Sequence, residues 1–109
     1  MPSSPERAHY RIVYPLRDRP RLELGGGQHE VVDCSEGGLR FQMTSGAPPE
    51  LGAHVRAVVR FHEGREVVVE GPIVRVQGGH IALRLTRGIP LAVILAEQRY
   101  LLAHYPTRF

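Results

Sequence analysis

The sequence predicts an all-β barrel or sandwich of short antiparallel strands, followed by one C-terminal helix. Three observations carry this expectation. Apolar and polar residues alternate at period two in runs such as Leu39 to Met43 and Val55 to His62, the signature of strands with one buried face. Glycine- and proline-bearing turns separate those runs at short intervals, the spacing of small antiparallel folds. Behind Pro90 the pattern switches to a helical stripe. A length of 109 residues allows one domain.

The elements follow in order. Residues 1–20 contain Pro5, Pro15 and Pro20 with charges between them and no sustained period, which predicts a flexible arm and leaves 21–109 as the barrel with its helix. Leu22 and Leu24 then alternate with Arg21 and Glu23, and Gly25-Gly26-Gly27 supplies a turn. His29 to Asp33 is a β-rich run that ends at Ser35-Glu36-Gly37-Gly38. Leu39, Phe41 and Met43 alternate with Arg40 and Gln42, and Ser45 to Pro49 reads as a loop. Val55, Ala57, Val59 and Phe61 define one face of the clearest strand, with Arg56, Val58, Arg60 and His62 on the other. Glu63-Gly64 is a hairpin-type turn into a run from Glu66 to Val76. Gly71-Pro72 inside that run predicts a bulge or bend. Gln77-Gly78-Gly79 turns into Ile81, Leu83 and Leu85.

The closing helix is expected over residues 90–105. Proline is well suited to a first helical turn, and Pro106 stops the run. Leu91, Ile94, Leu95, Gln98, Leu101, Leu102 and Tyr105 form its stripe, with Glu97, Arg99 and His104 expected elsewhere. A residual apolar side around Val93, Ala96 and Tyr100 is a candidate partner surface.

Composition narrows the function classes. Hydrophobic residues make up 42% of the chain, enough for a core. No apolar run approaches the ~18 residues of a membrane span, so membrane insertion is not expected. The opening Met1-Pro2-Ser3-Ser4-Pro5-Glu6 lacks the apolar centre of a secretory signal. A single cysteine, Cys34, forms no internal disulfide, which fits a cytoplasmic location. The six histidines show no metal-ligand spacing, and Ser35 sits in no nucleophile elbow, so neither a metal site nor an enzyme is expected. All fourteen basic residues are arginine, and the formal charge is +3. A coding background accounts for most of that bias, so position must single out the arginines that matter. An RNA or single-stranded DNA binder would use the basicity too. Aromatics at 6%, with no interleaved aromatic-basic strand, argue against a nucleic-acid polymer.

Two short motifs stand apart. Arg7-Ala8-His9-Tyr10-Arg11 sets two arginines four apart at the end of the arm. Asp33-Cys34-Ser35-Glu36-Gly37-Gly38 has the form D-x-S-x-x-G. Each alone is ordinary; turn chemistry explains the second. In this order and at this spacing they resemble the PilZ domain family. The likeness extends through Gly71 to Arg75, Gly79 to Leu83 and the closing helix. It implies a six-stranded antiparallel β-barrel capped by the C-terminal helix, and a receptor for the bacterial second messenger cyclic di-GMP.

By resemblance the ligand-binding set is Arg7, Arg11, Asp33, Ser35 and Gly38. Arg40, directly beyond the glycine turn, is a secondary contact. The chemistry is consistent with this. Arginine contacts both guanine edges and phosphates, and it stacks on purines. Asp33 can accept from guanine amines, Ser35 offers a hydroxyl, and Gly38 permits close backbone approach and a positive φ. On a rigid strand Arg7 and Arg11 would stand roughly 13 Å apart at ~3.3 Å per residue, so an arm that curls around the ligand suits them better. Many binding members carry a further arginine where this chain has Ala8. The expected outcome is an ordered arm that changes contact with a downstream protein. The competing expectation is an interaction adaptor of pilus assembly or motility that binds no ligand.

Overall fold

In a computed structural model, residues 10–106 are described. They form seven strands, a single 3-10 turn at His62–Gly64 and one α-helix, joined by turns and loops: β1 (Ile12–Val13), β2 (Arg21–Leu24), β3 (Gly27–Cys34), β4 (Gly38–Gln42), β5 (His54–Arg60), β6 (Glu66–Gln77), β7 (His80–Arg84) and α1 (Leu91–His104). Neighbouring strands run in the order β3-β2-β5-β6-β7-β4, and β4 returns to pair with β3. The result is a closed six-stranded antiparallel barrel with β1 as an extra strand on β3. Closure leaves no free edge around the ring.

Alternation places the core as expected. Leu22, Val31, Phe41, Val59, Val69 and Ile81 are fully buried inside the barrel. The Glu63-Gly64 turn is tight: both residues have positive φ, 60° and 77°, and Phe61 N–H donates to the Arg65 carbonyl at 2.7 Å.

Four expectations need correcting. The segment expected as an arm includes β1, and Tyr14 within it is only 3% exposed. Its aromatic ring is drawn into the core, which outweighs the local turn signals of Pro15 and Pro20. Gly71-Pro72 does not interrupt pairing, because Val55↔Gly71 and His54↔Pro72 continue the β5–β6 register. The irregularity lies between Ile73 and Arg75, on the β7 side. Gly71 is glycine for space, since a side chain there would collide with the Arg84 carbonyl.

The other two corrections concern α1. Its buried residues are Ile94, Glu97 and Leu101, whereas Leu102 is exposed. Glu97 faces inward because four donors meet it there. Val93 and Tyr100 pack against the core, so the apolar side expected for a partner is an inward one. No helix among the described residues is long and apolar enough to cross a membrane.

Candidate functional site

Two β-bulges build the site. Between β3 and β4, Val31 pairs with Phe41 and Asp33 with Arg40, so Val32 is skipped. Between β6 and β7, Ile73 pairs with Leu83 and Arg75 with Ala82, so Val74 is skipped. Each extra residue reverses the phase of alternation. Directly opposed residues share a face. Cys34, Leu39, Leu83 and Ile73 therefore form one row across four strands, and all are buried in the core. The adjacent row is Asp33, Arg40, Ala82 and Arg75, on the outer face. Small Ala82 between two arginines leaves a floor.

That outer row and the Ser35–Gly38 turn enclose a pocket of about 490 Å³. Arg11, Asp33, Ser35, Gly38 and Arg40 all line it, with Arg75 opposite. Five of the six residues expected from sequence thus meet at one place. The sixth, Arg7, lies outside the described residues.

Asp33 organises the cations. Its side chain is 5% exposed; Arg11 Nη2 donates to Oδ1 at 3.2 Å. Arg40 donates to Oδ2 twice, from Nε at 3.1 Å and Nη2 at 2.6 Å. One carboxylate therefore aligns two guanidiniums, an arrangement favoured by their forked geometry. Among the described residues, Oδ1 accepts from Arg11 alone, so capacity remains there for a ligand donor. With three arginines and one carboxylate among its lining residues, the pocket is electropositive and suits an anion.

The turn is held from behind. Ser35 N–H donates to the Gly38 carbonyl at 2.8 Å. Leu85 N–H bonds the Gly37 carbonyl at 2.8 Å and Ile89 N–H the Glu36 carbonyl at 3.0 Å. Gly88 fits against that same Glu36 carbonyl with no room for a side chain. The motif turn is thereby tied to the segment that leads into α1. Cys34, also at the pocket wall, is buried, and burial pushes its thiol up to about 12.

Sequence reasoning missed Arg75. Counted by strict alternation from the buried Ile73, it belongs inside the barrel; only the bulge at Val74 turns it out. Gly38, which is free to adopt a positive φ, is not among the glycines that have one.

The comparisons agree with this architecture. The PilZ domain family model matches residues 5–103. Among solved structures, the Bacillus subtilis inhibitor of motility, MotI/DgrA, superposes with a TM-score of 0.65 at 14% identity. The match covers 91% of this chain and 50% of that one, so the chain spans half the length of its structural neighbour. At that identity the likeness speaks for the fold alone. A search of curated proteins finds no match. Fold, paired motifs and the extent of the family match lead to one assignment: the chain belongs to the PilZ domain family.

Proposed function

We propose that this protein is a non-enzymatic cytoplasmic receptor for cyclic di-GMP, whose occupancy draws Arg7 onto the ligand beside the already seated Arg11 and is read by a partner protein. The observation that carries this reading is the outer row of Asp33, Arg40, Ala82 and Arg75, with Arg11 closing over it. A cyclic dinucleotide offers two phosphates and two guanines. Three convergent guanidiniums supply charge-assisted donors to phosphate and flat faces for purines. Asp33 Oδ1 accepts from a guanine amine, and Ser35 presents a hydroxyl. A pocket of about 490 Å³ falls within the roughly 300–1,000 Å³ of small-molecule sites. Cytoplasmic placement is supported by the single, unpaired Cys34. The likeness to MotI/DgrA, an inhibitor of motility, makes motility the first process to examine.

Calorimetric titration with cyclic di-GMP tests the reading. Wild type releases heat and saturates. Arg11→Ala loses one charge-assisted contact, worth about 1.5–3 kcal/mol, and binds roughly tenfold to a hundredfold more weakly. The Arg7→Ala/Arg11→Ala pair binds more weakly still. Silence from the wild type, or undiminished affinity in the double variant, overturns the proposal and favours the ligand-free adaptor.

A further inference from the structure

Behind the pocket lies a buried polar cluster that the ligand reading does not use. Glu97 on α1 is completely buried, a costly position for a carboxylate unless every lone pair is met. It is met four times. Tyr14 Oη donates to Oε1 at 2.6 Å and His62 Nδ1 approaches the same oxygen at 2.9 Å. The His62 backbone N–H donates to Oε2 at 3.1 Å and Arg65 Nη2 at 2.9 Å.

Tyr14 is the donor with consequences. It follows β1, a two-residue strand that, among the described residues, pairs with β3 at Ile12↔Cys34 and Val13↔Asp33. A ladder that short is weak by itself. Tyr14 adds its N–H to the Val32 carbonyl at 3.1 Å and its hydroxyl to Glu97. Burial, with Cys34 and Glu97 alongside, pushes the Tyr14 phenol far above its ordinary range, so it remains a donor. Arg11 stands three residues upstream, one residue before the strand.

We propose that Glu97 is a positioning residue for ligand binding: from α1 it anchors Tyr14, and through Tyr14 it holds Arg11 over Asp33. The inference rests on the cyclic di-GMP reading and adds a reciprocal consequence, that ligand in the pocket tightens the seating of α1.

Tyr14→Phe removes one hydroxyl and keeps the ring; Glu97→Gln keeps the shape and removes the charge. Both are titrated with cyclic di-GMP after circular dichroism establishes that they are folded at the assay temperature. Tyr14→Phe is expected to bind about fivefold to tenfold more weakly, the range for one lost hydrogen bond. Amide exchange at Tyr14 should quicken while that of Ile81 in β7 does not, and saturating ligand should restore the Tyr14 protection. If Glu97→Gln fails to fold, Tyr14→Phe decides alone. Wild-type binding with unchanged affinity in folded Tyr14→Phe overturns the positioning role. Exchange that quickens equally at Tyr14 and Ile81 does the same, since it marks general destabilisation. Absence of binding in the wild type is a different result, and it removes the ligand reading together with this one.

Discussion

Gly38 has no conformational duty in the free protein. Its φ is not left-handed, and an added Cβ would rest 3.6 Å from Ser35 Oγ and 3.8 Å from the Leu83 carbonyl, which are ordinary contacts. A methyl group there would instead project into the pocket that Gly38 lines. Gly38→Ala is therefore expected to stay within about 0.5 kcal/mol of wild-type stability while losing most of its affinity for cyclic di-GMP. Gly88 is the opposite case. A side chain there collides with the Glu36 carbonyl, so Gly88→Ala must move the motif turn and should lower Tm by several degrees, at about 4–8 °C per kcal/mol. Thermal melts and titrations of the two variants separate a glycine kept for the ligand from one kept for the fold.

At the scale of elements, the C-terminal end of α1 is joined to the stretch between β1 and β2 through Asp18. Its carboxylate accepts from Tyr105 Oη at 2.7 Å and Tyr100 Oη at 2.9 Å, and stands 2.8 Å from His62 Nε2. Partial burial opposes ionisation of Asp18, but the bonds from Tyr105, His62 and Tyr100 outweigh it and hold the carboxyl below its usual range. A lowered folded-state value means stability that is present above the unfolded value near ~3.9 and lost as pH falls through the folded one. Urea unfolding across pH 2 to 5 should show a steeper acid loss in wild type than in Asp18→Asn, with the two curves converging at the acid end. Parallel curves would show that Asp18 does not couple α1 to the rest of the fold. The same elements show where sequence patterns stop. Leu22, Phe41 and Ile81 are readable as core because alternation over a regular strand fixes their face. Asp33 and Arg75 are not placeable by that rule, since each lies just past a bulge that one-dimensional periodicity does not register.

For the molecule as a whole, the closed barrel lets one continuous core support the outer pocket. Phe41, fully buried, sits next to Arg40 on β4 and opposite Val31 and Ile81. Phe41→Ala should cost about 3–5 kcal/mol, a large share of the roughly 5–15 kcal/mol that holds a domain together. Denaturant titration should show a lower midpoint at unchanged m-value. Loss of cyclic di-GMP binding in that variant would follow the unfolded fraction, unlike the loss in Arg11→Ala, which occurs in folded protein.

Sequence alone determined the strand runs from β2 onward, the turns between them, the closing helix that spans Leu91–His104 and the two motifs that mark the family, because these depend on periodicity and on local backbone chemistry. Tertiary structure decided three further matters. Strand closure brought Arg11, Asp33 and Arg40 together from three strands or their ends. The bulges at Val32 and Val74 chose which side chains face out, and so added Arg75 to the pocket. Charge alone assigns Glu97 to the outer side of its helix, yet it lies at the centre of a buried cluster. Its donors come from Tyr14, His62 and Arg65, 83, 35 and 32 residues away. A carboxylate is buried only where such partners converge, and that convergence exists only once the chain has folded.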